Sequence, residues 1–155
     1  MDRRFRLLSV LRYRESREDA LQLEFARRLS EQQAEQRRLD DLRGQADTAV
    51  TRLTDQLRGG PIDIGVVVEF IAHLDVLGGA IMHQTESVRA AETRSETQRV
   101  ELVAAMQDRK VMDKLRERHD QDYAAWADGV EQRAVDDIVT ARFAARKGQS
   151  VGAAT

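Results

Sequence analysis

The sequence predicts an all-α protein in which two long helices form an antiparallel coiled coil with an overhanging C-terminal helix. Three observations predict this fold. Charged residues make up 34% of the 155 residues, aromatic residues make up only 5%, and apolar residues recur at alternating steps of three and four. A spherical core needs many large apolar side chains, whereas a narrow seam between long helices does not.

One segment interrupts the helical pattern. The only proline, Pro61, follows Arg58, Gly59 and Gly60. Two glycines and a proline with a fixed φ end any helix that arrives from the N-terminal side. Asp63 stands just after this break, where its side chain can cap a new helix.

The break divides the chain into two helices of unequal length. We predict one domain over residues 1–147, built from a helix over 4–57, a turn over 58–63 and a second helix over 64–146. The remaining residues, 148–155, are small and polar, and we expect them to form a flexible tail.

Both predicted helices carry a seam with the spacing of a coiled coil. Nine of fifteen seam positions in the first helix are apolar: Leu8, Leu11, Glu15, Glu18, Gln22, Phe25, Leu29, Gln32, Gln36, Leu39, Arg43, Ala46, Val50, Leu53 and Leu57. Twelve of eighteen are apolar in the second helix: Phe70, Leu74, Leu77, Ile81, Gln84, Val88, Ala91, Ser95, Gln98, Leu102, Ala105, Arg109, Met112, Arg116, His119, Tyr123, Trp126 and Val130.

A short connection favours antiparallel neighbours, so we expect Phe5 to lie opposite about residue 116. The second helix is the longer one. Its residues from about Glu117 to Arg146 are therefore expected to extend on the order of 40 Å beyond the first helix. This overhang carries the apolar residues Trp126, Val130, Ile138, Val139 and Phe143. Exposed apolar residues on a solitary helix favour a partner-binding surface, although a longer N-terminal fold or self-association would also cover them.

Composition argues against several functions. The net charge is −2 with acidic and basic residues interspersed, so nucleic acid is not an expected partner. Cysteine is absent, which excludes disulfides and thiol chemistry. No apolar stretch of signal-peptide length follows the N-terminus, and no run of about 18 apolar residues is present. These features predict a cytosolic protein.

The titratable residues do not form a recognisable catalytic or metal-binding pattern. His73, His83 and His119 are too far apart in sequence to share adjacent helical turns as a zinc pair does. Gly59-Gly60 lacks the lysine of a phosphate-binding loop. We therefore predict no catalytic residue, no metal and no cofactor. Gly78-Gly79 lies inside the second helix, where it indicates a bend, a close helix contact or a tolerated irregularity.

Three segments together resemble the flagellar FliJ family, a stalk-like component of the flagellar type III export ATPase complex. The first is the run from Phe5 to Leu11 with Arg14, Glu18 and Ala20. The second is Phe70, Leu74 and Leu77. The third contains Arg109-Lys110, the run from Asp113 to Arg118, Tyr123, Glu131-Gln132, Asp136-Asp137 and Arg142.

The resemblance implies a non-enzymatic role in flagellar protein export. It implies a central stalk that binds the export ATPase ring, promotes ring assembly and activity, and contacts the cytoplasmic domain of the export gate and the export chaperones. It also implies a cytoplasmic protein that reaches the inner membrane only indirectly, through the export apparatus at the flagellar base.

The third segment and the overhang supply the predicted partner-binding residues, because cations around a helix can meet acidic loops. They are Arg109, Lys110, Lys114, Arg116, Arg118, Tyr123, Trp126 and Phe143. The same cations could instead form ion pairs within their own helix. Two other functions remain open from the sequence: the stalk of a virulence-type secretion system, and a generic coiled-coil scaffold.

Overall fold

Two helices account for almost all of the chain. The structure is a computed structural model that describes the backbone of residues 4–152 and the side chains of residues 4–143. Helix α1 spans Leu8–Arg58 and helix α2 spans Ile64–Gly152, and the described residues contain no strand. The predicted all-α class is therefore confirmed.

Three helix ends differ from the predicted ones, the smallest difference being that α1 ends at Arg58 instead of residue 57. Helix α1 begins at Leu8 instead of residue 4, because the N–H of Leu8 donates to the carbonyl of Phe5 in a turn that precedes the helix. Helix α2 continues to Gly152 instead of ending at residue 146. The last three residues of the expected tail, 153–155, lie outside the described residues. The single-domain organisation stays a prediction.

The turn between the helices is built by the residues that the sequence singled out. Gly60 has a φ of 154°, a conformation that side-chain-bearing residues rarely adopt. The Asp63 carboxylate accepts a hydrogen bond from the N–H of Gly65 at 2.9 Å, and the Asp63 carbonyl accepts from the N–H of Val67 at 3.2 Å. Asp63 is therefore the N-cap of α2.

The chain divides into two compact units, each containing part of both helices. Unit 1 combines Met1–Glu15 with Gln107–Thr155, and unit 2 is Ser16–Met106. In unit 1, Leu11 is only 1% exposed. An ion pair at 2.7 Å joins Arg14 to Asp108, and the rings of Phe5 and His119 meet edge to face at 5.6 Å. Phe5 therefore lies about one helical turn from its expected position opposite residue 116.

Unit 2 has a narrow core made largely of leucine, valine and alanine. Its buried apolar residues are Leu39, Ala49, Leu77, Val88, Ala91 and Ala105. Two polar layers cross this core. Gln84 Nε2 donates to the Glu35 carbonyl at 3.0 Å and to Glu35 Oε2 at 2.6 Å, and Ser95 Oγ donates to Gln32 Oε1 at 2.6 Å.

Burial supports the predicted seam of α2 and corrects that of α1. In α2, every predicted position from Phe70 to Tyr123 except Arg116 is buried or partly buried. In α1, the covered predicted positions are Leu11, Glu18, Phe25, Gln32, Gln36, Leu39, Ala46 and Leu53. The predicted positions Glu15, Gln22, Leu29, Arg43 and Val50 are exposed, because the covered intervening positions lie one residue earlier. These covered intervening positions are Arg14, Leu21, Arg28, Glu35, Leu42 and Ala49.

The described part of α2 includes a segment of membrane-like composition. Within Ile64–Phe143, one 18-residue window is long and apolar enough to cross a membrane by length and composition alone, and only 6% of that window is buried. Glu69 and Asp75 interrupt the apolar residues near the start of α2, so this stretch is not a continuous apolar run. A single window of this kind is weak evidence for a membrane span.

Candidate partner-binding surface

The eight predicted partner-binding residues all lie on α2 within unit 1. They do not converge on a pocket. They form instead a basic segment, over residues 109–118, followed by an aromatic and apolar segment that runs to residue 143. The two segments have different chemistry and are described in turn.

Two of the five cations are engaged in their own helix. Arg109 Nη1 pairs with the Asp113 carboxylate, four residues later. Arg116 Nε lies 3.9 Å from Asp120 Oδ2, also four residues later. Pairs at this spacing on an exposed helix are worth a few tenths of a kcal/mol and leave less of each charge for a partner.

The other three cations define a basic stripe, which consists of Lys110, Lys114 and Arg118. All three are exposed, and none forms an ion pair within the part of the chain that the structure describes. Their spacing of four residues places them on one side of the helix. The basic stripe is therefore the part of the predicted set whose charge is available to a partner.

The two aromatic residues after the basic segment contact each other. The Tyr123 and Trp126 rings lie 5.8 Å apart with an interplanar angle of 42°. Tyr123 is partly buried, whereas Trp126 is 42% exposed. Tyr123 thus closes the covered part of the α2 seam, and Trp126 begins its uncovered part.

Beyond Trp126, α2 carries apolar residues that nothing in unit 1 covers. Every described side chain from Glu131 to Phe143 is exposed. We call residues 126–143 the C-terminal segment. Its apolar members are Trp126, Val130, Val135, Ile138, Val139 and Phe143. Sequence reasoning had overlooked Val135, although its spacing of three and four from Ile138 and Val139 could have identified it.

These apolar residues do not form a single stripe. At about 100° per residue, nine residues separate Val130 from Val139 by roughly 180° around the helix. Trp126 and Val130 continue the line of the α2 seam, whereas Val139 and Phe143 face away from it. A single partner helix could cover only one of these sides.

Two of the three histidines lie near carboxylates. His73 borders an open groove in unit 2 together with Asp40, Asp41 and Phe70. His119 Nδ1 lies 3.4 Å from the Asp120 carboxylate. Within the described residues, no group of three or more His, Asp or Glu side chains could hold a metal ion.

Comparison with known proteins places the chain in a family. The family described as "Flagellar FliJ protein" matches residues 3–148, which is nearly the whole chain. No curated protein and no solved structure matches it. The family is a non-catalytic component of flagellar protein export, and the two packed helices described above agree with a coiled coil. The chain therefore belongs to the flagellar FliJ family and has a role in flagellar type III protein export.

Proposed function

We propose that this protein binds the flagellar export ATPase ring as its central stalk and promotes ring assembly and ATP hydrolysis. We further propose that it contacts the cytoplasmic domain of the export gate and the export chaperones. In this role it is a cytoplasmic, non-enzymatic protein that associates peripherally with the inner membrane at the flagellar base.

The observation that supports a ring partner most directly is the placement of apolar residues on opposite sides of the C-terminal segment. Val130 and Val139 are 43% and 56% exposed on a helix that no other described element covers. A partner that surrounds the helix buries apolar surface on two of its sides at once. A ring of ATPase subunits is such a partner.

The basic stripe offers a second point of contact. Lys110, Lys114 and Arg118 project from α2 with no ion pair among the described residues. Exposed charges of this kind accelerate association with an acidic surface and set its orientation more than they add affinity. We assign the stripe to acidic loops of the ATPase ring or of the export gate.

The test is ATP hydrolysis by the flagellar export ATPase of the same organism, with and without this protein, combined with negative-stain imaging of the rings. Stimulation of hydrolysis together with density at the centre of the ring supports the stalk. A chain that neither stimulates hydrolysis nor joins the rings contradicts it.

A pair of variants locates the contact. Val139→Ser removes about two buried methyl groups if the ring covers this side chain, which corresponds to about 1.6 kcal/mol, or roughly 15-fold weaker binding. Val100→Ser is the matched control, because Val100 is also 56% exposed but lies in unit 2. Equal loss of stimulation by the two variants would contradict a contact at the C-terminal segment.

A further inference from the structure

In unit 2, the side of α2 that faces away from α1 carries several exposed apolar residues. In a two-helix protein, this side is expected to be charged. Its exposed residues are Ile64, Val68, Ile71, Val76 and Met82, with exposures from 57% for Ile71 to 75% for Ile64. We call these five residues the outer apolar face. On the opposite side of the same helix, Leu77 is buried against α1. A helix that is apolar on both sides is typical of one that is covered on both sides.

The face is also open enough for a second helix to approach closely. Gly79 lies among its residues, and a Cβ added at Gly79 or at its neighbour Gly78 would meet nothing within 4 Å. The packing of unit 2 therefore does not require either glycine. Glycine inside a helix costs about 1 kcal/mol relative to alanine, but it lets another backbone come near.

Acidic residues predominate around this face, although at its C-terminal end Glu86 pairs with Arg89 at 2.7 Å. Residues 59–88 contain four acidic residues and no lysine or arginine, although the whole chain has 25 basic residues. The four acidic residues are Asp63, Glu69, Asp75 and Glu86. All four are exposed, and Asp75 projects from the same side of α2 as Ile64 and Met82. A partner that covers the apolar residues therefore meets negative charge.

This charge argues against two of the possible occupants. A membrane would have to accept Glu69 and Asp75 within the apolar window, and anionic headgroups would repel these two carboxylates. A second copy would bring one acidic face against another. The area is small for any single partner helix, since about 27 Å of helix with a width of about 10 Å gives roughly 270 Å² per chain, against about 800 Å² in a stable complex.

We propose that the outer apolar face is a docking surface for a basic amphipathic helix of another protein. Its apolar stripe packs over Val68 and Val76, and its lysines or arginines meet Asp75 on one side of that line and Glu69 on the other. The small area makes this a transient contact. It lies in unit 2 and is separate from the C-terminal segment assigned to the ring.

The test uses two labelled synthetic peptides of 21 residues with the same leucine and alanine stripe. One carries lysine at its flanking positions, and the other carries glutamate there. Fluorescence anisotropy with the full chain is expected to show at least tenfold tighter binding of the lysine peptide. Ile71→Lys should weaken that binding at least tenfold, and Met82→Lys should do the same. The control Val100→Lys should change it by less than twofold, because Val100 is 56% exposed, close to the 57% of Ile71, but lies outside residues 59–88.

Circular dichroism of each variant separates loss of binding from loss of folding, and Met82→Lys provides a second reading if Ile71→Lys fails to fold. Four results would overturn the proposal. They are the absence of saturable binding, equal binding of the two peptides, equal weakening by Val100→Lys, and an Ile71-dependent association with itself or with lipid vesicles in place of the peptide. Sedimentation equilibrium and vesicle pelleting detect the last of these.

Discussion

Replacing Gly78 and Gly79 by alanine is expected to stabilise the protein, because the structure leaves room for both methyl groups. An added Cβ at either position meets nothing within 4 Å. Alanine is favoured over glycine in a helix interior by about 1 kcal/mol per position, so the double variant should gain about 2 kcal/mol. For a chain of this size, that gain corresponds to a rise in Tm of about 4–8 °C.

Thermal unfolding followed by circular dichroism at 222 nm measures this change, and chemical denaturation converts it to a free energy. Gly60→Ala is the matched control of opposite sign. Gly60 has a φ of 154°, so alanine there should lower the free energy of unfolding by about 1–3 kcal/mol although it also meets nothing within 4 Å.

Two results would refute this reasoning. If the double variant is less stable than the natural sequence, the glycines make a close contact within the folded protein that the open space around them does not allow. If Gly60→Ala stabilises as much as the double variant, chain entropy alone explains all three substitutions and local conformation plays no part.

Three further predictions concern single side chains. Gln84→Ala should cost about 1 kcal/mol in chemical denaturation, because it leaves one oxygen of the partly buried Glu35 carboxylate without its cross-helix donor. Trp126→Ala should leave helix content unchanged while weakening stimulation of the ATPase ring, since this side chain is 42% exposed; a loss of folding would place it in the core instead. Hydrogen bonds from Arg99 hold the pKa of Glu96 below its ordinary value. Titration by carbon NMR should therefore show Glu96 ionising at a lower pH than an ordinary glutamate. The stabilising effect of the pair is present at neutral pH and is lost as the pH falls through the pKa of Glu96. Arg99→Ala should restore the ordinary pKa of Glu96.

The fold class and the turn could be predicted from the sequence because each rests on strong local chemistry. Asp63 offers an N-cap, and Gly60 supplies a conformation that other residues rarely adopt. The seam of α2 was equally predictable from the sequence, since most of its positions are apolar. In each case the residue type has one dominant preference, for capping, for a backbone conformation or for burial, and the structure satisfies that preference.

Only about half of the α1 seam could be predicted from the sequence. The intervening positions that the structure covers include Leu21, Leu42 and Ala49 among six, whereas the predicted ones include Leu29 and Val50 among six. Three apolar residues against two is too small a difference for periodicity to decide. Packing against α2 determines which positions of α1 are covered, and the sequence pattern of α1 alone carries no information about that packing.

The residues of the candidate surface could be predicted from the sequence, but which of its cations are paired could not. Each cation of the basic segment has an acidic residue within three or four positions, so any of them could have been paired. The structure pairs Arg109 and Arg116 and leaves the basic stripe exposed. The residues of the outer apolar face lie off the predicted seam of α2, but the seam pattern alone does not indicate that so many apolar residues remain exposed there.

The polar layers of unit 2 fix the register of the two helices, which the apolar core alone does not do. Ala49, Ala91 and Ala105 are small enough that sliding one helix by a heptad would still bury apolar surface against apolar surface. The bonds of Gln84 to Glu35 and of Ser95 to Gln32 would not survive that shift. Each displaced buried polar group would cost about 1–3 kcal/mol, so two such layers disfavour the shifted pairing even though they add little to the strength of the correct one. The same polar residues weaken the periodic signal of α1, which is why its seam was the feature hardest to predict.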